Sequence, residues 1–384
     1  IIPALGIAGR GFFVFPGRFL LRQAHCDFFQ SPPKFDGCVL KCDLNLNIIV
    51  YIRVILEENV RILILSCNTG EGHNAAARAM KQRIEYEGHE AVMLDYMLLK
   101  GRRASKIVSN AYIDIAKYTP RLFQLIYHLG LAISSSKRKS PVYWANHYMG
   151  KYLKAYLTEN DFDAIIITHL YPAEALTYLK RRGELQQKVL AVATDYTCIP
   201  FWEETDCDWY ISPHKDLIPE YVARGMDENR IYPLGIPVAM EFARHGDPKE
   251  ARRRLGLDPE KSMYLIMGGS MGFGRMQAFA FELCRRKRED EQVIIICGNN
   301  RRLYRFLSTE LAGRANVKVV AFVDNVADYM DACDVLYTKP GGLTSTEALV
   351  KNVPFIHTAP IPGCETANMR FFNGNGLSLS SKGM

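Results

Sequence analysis

No apolar run in the sequence is long enough to cross a membrane. The most apolar stretch, Leu44 to Leu56, is broken by Arg53 and falls short of the roughly 18 to 20 residues that a bilayer-spanning helix requires. The ten cysteines lack paired close spacings, and Cys38 and Cys42 have neither a second cysteine pair nor a histidine pair to complete a zinc site. A zinc ribbon and a disulfide scaffold are thereby excluded. No glycine-rich loop ends in Gly-Lys-Ser/Thr, so there is no Walker phosphate loop. A charged leader followed by an apolar run and a small-residue cleavage site is also missing. The chain opens on Ile1, and residues 1–59 mix Gly, Pro, Phe and Cys with no period of 2 or 3.6. They are expected to be an irregular extension, unstructured or foreign to the fold.

Acidic residues are scarce between Tyr96 and Ala155. Eleven Lys or Arg there, including Lys100, Arg102, Arg103, Lys137, Arg138 and Lys139, face the single acid Asp114, so the segment carries +10 in a chain of net charge +7. Nine aromatics lie in the same segment, among them Tyr127, Tyr143, Trp144 and Tyr148. Such a surface suits an anionic membrane or a nucleic acid, or is a solvated helical face whose aromatics are core. No nucleic-acid reader motif accompanies it, so no nucleic-acid partner is expected.

What is present is a globular composition, 48% hydrophobic and 23% charged over 384 residues, a length that predicts two domains. Arg61–Leu65 (RILIL) reads as a buried strand, Asn74–Glu87 as a helix with Ala76, Met80 and Ile84 on one face, and Ala91–Leu94 as a second strand. Strands at Asp163–Thr168, Lys188–Ala193, Trp209–Ser212 and Ile231–Leu234 continue the alternation, and Gly235 to Pro248 reads as a linker. A second series has strands at Met263–Met267, Val293–Cys297, Val317–Val320, Asp334–Tyr337 and Val353–Ile356, with helices between. Two α/β units over 60–240 and 250–384, each with a mostly parallel sheet, follow from this order. Ligands of such sheets bind at the carboxyl ends of the strands, and two facing sheets make a cleft.

Three glycine-rich loops follow expected strands. In Ser66 to Asn74 the glycines allow a tight turn into a helix N-terminus that favours negative charge, and His73 is either a general base or a polar group lining a pocket. Gly268-Gly269-Ser270-Met271-Gly272-Phe273-Gly274 offers backbone N–H groups suited to a diphosphate, or packs tightly for its own sake. Thr338 to Glu347 carries paired glycines, hydroxyls and a carboxylate, where a capping box from Thr344 to Glu347 is the alternative to ligand binding.

These loops occur in one order with Thr168-His169-x-x-Pro172, Thr194-Asp195-Tyr196 with Trp202 after it, and Gly235-Ile236-Pro237-Val238. Cys297-Gly298-Asn299-Asn300, Lys339-Pro340-Gly341-Gly342-Leu343-Thr344-x-x-Glu347 and Pro362-Gly363-Cys364-Glu365-x-x-Asn368 complete the set. Over roughly Arg61 to Phe372 this order resembles the monogalactosyldiacylglycerol synthase and processive diacylglycerol glucosyltransferase family, relatives of the peptidoglycan N-acetylglucosaminyltransferase. The resemblance implies a GT-B fold of two Rossmann-like domains and inverting transfer from UDP-glucose or UDP-galactose to diacylglycerol, with no metal or other cofactor. It implies a diphosphate cradle of Gly268, Gly269, Ser270, Gly272, Gly341, Gly342 and Thr344, with Glu347 on the ribose and Glu365 and Asn368 facing the sugar. Near the acceptor it implies His73 and Asp195. Asp195 is favoured as the base, with His73 orienting acceptor or donor phosphate and His169 and Trp202 beside them.

The lipid acceptor gives the basic segment a partner, an anionic membrane surface at the cytoplasmic face, held peripherally. Three departures stand out: Glu71 where the family commonly has glycine, Cys364 where it has Gln, and no histidine before Trp202. The chain also ends at Met384, soon after Asn368, and a truncated second domain is expected. Transfer to another lipid, such as a polyprenyl diphosphate-linked sugar, and a non-catalytic UDP-sugar sensor are the alternatives.

Overall fold

A computed structural model of the chain describes residues 12–15, 19–22, 60–269, 276–358 and 360–380. Most of the expected irregular extension therefore lies outside the described residues. Within it, β1 (Phe12–Phe15) and β2 (Phe19–Arg22) pair antiparallel, with Phe15 opposite Phe19, which corrects the expectation for those eight positions. Two Phe-rich apolar runs flanking Pro16-Gly17 are a short hairpin signal that a search for longer periods passes over.

The first half runs β3 (Arg61–Ser66), α1 (Glu71–Tyr86), β4 (Glu90–Asp95), α2 (Arg102–Tyr118), α3 (Pro120–Ile133), α4 (Pro141–Glu159), β5 (Ala164–Ile167), α5 (Leu170–Arg181), β6 (Lys188–Val192), β7 (Trp209–Ile211), α6 (Ile218–Ala223) and β8 (Ile231–Tyr232). Its six strands are all parallel in the order β4-β3-β5-β6-β7-β8. The second half runs α7 (Pro248–Arg254), β9 (Ser262–Met267), α8 (Met276–Arg286), β10 (Glu291–Ile296), α9 (Arg301–Glu310), β11 (Val317–Val320), α10 (Val326–Ala332), β12 (Val335–Thr338), α11 (Gly342–Val350), β13 (Phe355–His357), α12 (Cys364–Gly374) and β14 (Leu379–Ser380). Its sheet is again parallel, in the order β11-β10-β9-β12-β13-β14.

Strand order explains why two of the glycine loops matter. In the first sheet β3 lies between β4 and β5, and in the second β9 lies between β10 and β12, so in each the winding direction reverses beside the first strand of its half. The loops leaving β3 and β9 thus emerge at the two switch points, where open α/β sheets leave a crevice. Central strands buried on both faces need continuous apolar sequence, and Ile62 to Leu65 are fully buried, as are Val293 and Ile295.

The basic segment folds into α2, α3 and α4 between β4 and β5. Ser140 fixes the start of α4: its Oγ accepts from Tyr143 N at 3.2 Å and donates to Glu204 Oε1 at 2.6 Å, while its own N–H donates to Glu204 Oε2 at 2.7 Å. Glu204 is fully buried, and these bonds offset the cost of desolvating it. Helix α3 is apolar on both sides. Gly130 packs inward on Pro200 and Phe201, and Phe123 lines the inner cleft. Leu122, Leu125, Ile126, Leu129 and Ile133 point outward, between 45% and 55% exposed. Lys139 does not join the basic surface: its Nζ donates to the Glu204 carbonyl, and burial pushes the ammonium down to about 8. Among the described residues no helix is long and apolar enough to cross a membrane.

The two halves share one continuous core. Ile236 and Val238, expected in a linker, are buried in a cluster that also holds Leu65 and Ile167 from the first sheet and Leu265 and Leu336 from the second. The tightest approach is at Gly342, where a Cβ would overlap the Thr194 carbonyl oxygen and come within 3.2 Å of Ile236. A Gly342→Ala substitution must therefore push the halves apart or distort α11. Thermal unfolding should show a loss of about 1–3 kcal/mol, the range for overpacking. Gly374→Ala, where nothing lies within 4 Å of the added carbon, should show none.

Candidate active site

A cavity of about 860 Å³ lies between the sheets, within the range of small-molecule sites. It is lined by Thr69 to His73 after β3, Thr194 and Asp195 after β6, Gly269 after β9, Gly298 after β10, Phe322 to Asp324 after β11, and Lys339 and Gly341 to Thr344 after β12. Ile361, Cys364 and Glu365 close one side, and Glu347 lines it from α11.

His73 sits in the first turn of α1, partly buried. Its Nδ1 lies 2.7 Å from the Thr168 carbonyl oxygen and 2.9 Å from Thr194 Oγ1. A carbonyl can only accept, so Nδ1 carries the hydrogen and Nε2 is left with the lone pair. Burial lowers the pKa of the ring, and the negative charge of Asp195 works against that. The imidazole is accordingly neutral at neutral pH, with its basic nitrogen fixed.

His169 plays a different part. Its Nδ1 accepts from Tyr171 N at 3.2 Å, so Nε2 donates to Thr69 Oγ1 at 2.8 Å. Burial, with His73 beside it, holds this ring well below the usual histidine range. It anchors the loop after β3 to the start of α5, and its ring meets His73 edge-on at 4.7 Å. Trp202, expected near the acceptor, is instead a core residue, 3% exposed and packed edge-on to Tyr210. The chain turns it inward through Phe201, whose φ of 75° reverses the backbone before it.

Asp195 lines the cavity from the first half, and its Oδ1 accepts from Asn368 Nδ2 at 2.8 Å. Asn368, expected to face the sugar, lies behind the cavity wall with no exposed surface. Its Nδ2 also donates to the Pro340 carbonyl at 3.1 Å, and its Oδ1 accepts from Tyr196 N at 2.6 Å.

On the opposite wall, Gly268 is buried at the end of β9, and Gly269 has φ +70°, with the Lys339 chain 2.8 Å from where a Cβ would stand. Ser270 and Gly272 lie outside the described residues. Lys339 pairs with Glu365, whose other oxygen accepts from Ile361 N at 2.8 Å. Burial works against the ammonium, yet Glu365, helped by Asp195, more than offsets it and keeps Lys339 above its ordinary range. Glu347 is pushed up to about 8 by burial and by the neighbouring Glu241. The capping box does not form: α11 starts at Gly342, ahead of Thr344, and Gly341 caps it without a side-chain bond. Helix α1 likewise starts after Gly70 with no side-chain cap. Gly72 and Leu343 bring these two N-termini together, and their unpaired N–H groups and positive dipole ends favour an anion between them.

Sequence reasoning passed over Lys339, although it stands in a quoted motif, and Phe322 to Asp324. The available signal was position alone, since all of them follow strand ends.

Residues 73–238 match the domain family described as monogalactosyldiacylglycerol (MGDG) synthase, and residues 263–363 match the glycosyltransferase family 28 C-terminal domain. The processive diacylglycerol beta-glucosyltransferase of Bacillus subtilis is 27% identical over 84% of this chain and 84% of its own length. The Oryza sativa subsp. indica protein named "Probable monogalactosyldiacylglycerol synthase 2, chloroplastic" is 29% identical over 84% of this chain and 70% of its own. Among solved structures, MurG of Acinetobacter baumannii superposes with a TM-score of 0.52 at 14% identity, covering 84% of this chain and 86% of that one. The fold is GT-B, two parallel six-stranded sheets facing across a cleft.

Glu347 makes the cleft sensitive to pH. Its neutral form donates one hydrogen bond, whereas its ionised form only accepts. His73 is held low and Lys339 high, so neither changes charge near pH 8. Infrared titration of the carboxyl band should find one group losing its proton at about pH 8, and that step should be missing in Glu347→Gln.

Proposed function

From the matches to the monogalactosyldiacylglycerol synthase and glycosyltransferase family 28 C-terminal domain families, we propose that the chain moves a hexose from UDP-glucose or UDP-galactose to diacylglycerol, with inversion at the anomeric carbon. The observation that carries this reading is His73, a neutral imidazole of fixed tautomer facing an anion-binding wall across the cleft.

His73 Nε2 takes the proton of the acceptor hydroxyl as its oxygen attacks the anomeric carbon from the face opposite the diphosphate. Asp195 stabilises the imidazolium that forms, so the tautomer argument reverses the roles favoured from sequence. The bond from the anomeric carbon to the β-phosphate oxygen breaks, and UDP leaves with the electron pair. Its charge is held by Lys339, the N–H groups opening α11 and the backbone at Gly269. Glu347 takes the ribose hydroxyls, and Phe322 and Val323 border the space left for the base. Because the chain's own groups supply this charge stabilisation, the reaction needs no added metal and turnover persists in a chelator.

The acceptor is a membrane lipid, so the enzyme docks peripherally, at the cytoplasmic face. The outward stripe of α3 supplies apolar contact, with Ile107 of α2, 68% exposed, beside it. Lys100, Arg102, Arg103, Arg121, Lys137 and Arg138 of the same stretch of chain are exposed, each able to contribute about 1 kcal/mol on anionic lipid.

With either donor and diacylglycerol-containing anionic liposomes, chromatography of the lipid products should reveal monohexosyldiacylglycerol. His73→Ala should lower kcat by about 10²- to 10⁴-fold, the span of a lost general base. Asp195→Asn should cost about tenfold or more, in line with one lost charge-assisted contact. No glycolipid from either donor overturns the transfer reading, and product only on a polyprenyl acceptor redirects it. In flotation assays Leu125→Asp with Leu129→Asp should release the protein from liposomes while leaving UDP-glucose affinity unchanged. Raised salt should weaken liposome binding of the parent protein.

A further inference from the structure

The contacts of Asn368 are not those of a sugar-binding side chain. Its two N–H bonds go to the Asp195 carboxylate and the Pro340 carbonyl, which can only accept, and its oxygen takes Tyr196 N–H, which can only donate. These partners fix the amide orientation unambiguously and leave no N–H for a sugar hydroxyl. The side chain has no exposed surface, whereas Asp195 and Glu365 line the cavity.

Position in the fold adds to this. Asn368 lies on α12 of the second half, while Asp195 and Tyr196 follow β6 of the first, 173 and 172 residues away. Beside it Tyr196 OH meets Thr346 Oγ1 at 2.9 Å, and the Tyr196 ring packs on Phe371 and Phe372 at 4.7 and 4.5 Å. The side chain whose N–H bonds the Asp195 carboxylate thus belongs to the half proposed to hold the donor.

We propose that Asn368 is the positioning residue for Asp195, so that the His73–Asp195 pair is aligned only while the donor-binding half is docked on the acceptor-binding half. This deepens the reading above and rests on it, since Asp195 must serve His73 for its placement to matter. Aspartate at 368 would set a second carboxylate against Asp195 and the Pro340 oxygen, and alanine would leave Asp195 without its N–H donor.

The test is a double-mutant cycle on the full chain, with kcat from glycolipid formation and donor affinity from calorimetry. Asn368→Ala should lower kcat about ten- to a hundredfold, the worth of one hydrogen bond to a charged group, with UDP-glucose Kd unchanged within about twofold. Asn368→Asp keeps the side-chain volume, guards against a packing defect, and should lower kcat at least as far. In an Asp195→Ala background, followed over long incubations with labelled donor, Asn368→Ala should cost less than about twofold, because a residue acting through Asp195 has nothing left to position. Additive losses with weakened donor binding would make Asn368 a sugar contact and overturn the proposal while leaving the role of Asp195 intact. Normal turnover of both Asn368 variants beside a crippled Asp195→Ala also overturns the proposal alone. Unimpaired turnover of Asp195→Ala overturns the assigned role of Asp195 and this proposal together.

Discussion

A contact without side chains sets the geometry of this molecule. The Thr194 carbonyl oxygen meets Gly342 so closely that even a methyl group would overlap it, and both residues begin the segments that carry the chemistry. Asp195 follows Thr194, and α11 opens at Gly342. Fixing that one separation fixes the distance from the carboxylate and His73 on one side to the helix N-terminus and Lys339 on the other. A glycine is required at 342 by its missing Cβ and not by a left-handed φ. The shared core around Ile236 and Val238 then holds the approach in place.

Within that spacing the cleft sorts charge by side. His73 and His169 are kept neutral by burial on the first wall, and Lys339 is kept charged by Glu365 on the second. On the proposed reading a diphosphate meets Lys339, the N-terminus of α11 and the backbone at Gly269 on one side, and the proton acceptor, in the first turn of α1, on the other. That is the division an in-line displacement needs, because nucleophile and leaving group occupy opposite faces of the carbon. Glu365 gives the free enzyme an internal counter-ion, so Lys339 bears no uncompensated buried charge before the donor arrives.

Much of the fold was legible because parallel strands buried on both faces must be continuous apolar runs. RILIL at 61–65 became β3 with one residue added. Helix α1 was read from Asn74 but begins at Glu71, since it starts after Gly70 with no capping side chain to announce it. Helices α2 to α4 were not separated by their apolar spacing, although Pro120 and Pro141 stand at the starts of α3 and α4 and Ser140 caps α4. The site divided along similar lines. His73, Gly342 and Glu347 stand in glycine loops whose conformation demands particular residues, and local sequence exposes them. Lys139, Trp202 and Asn368 depend on partners distant in the chain. Lys139 turned inward to Glu204, Trp202 packed in the core, and Asn368 reached Asp195 across the domain boundary.

The apolarity of α3 on two sides bears on how a lipid could reach the cleft. Phe123 on its inner side lines the cavity, and Tyr127 lies 3.2 Å from where a Cβ on Gly363 would stand, one residue before Cys364 in the cavity wall. Leu125, Ile126 and Leu129 are on the other side, exposed. On the proposed reading, a single helix, about 10 Å across, is then all that separates the bilayer from the reacting centre. A diacylglycerol has its hydroxyl at the headgroup level and its chains anchored in lipid, so it need rise only by that thickness to meet His73. The energetic cost of exposing acyl methylenes, about 0.8 kcal/mol for each CH₂, falls with every one that stays in lipid or lies along α3. An apolar helix at this place is consequently a requirement of extracting a two-chain acceptor only part-way, and a polar outer face on α3 would leave the same catalytic groups out of the lipid's reach.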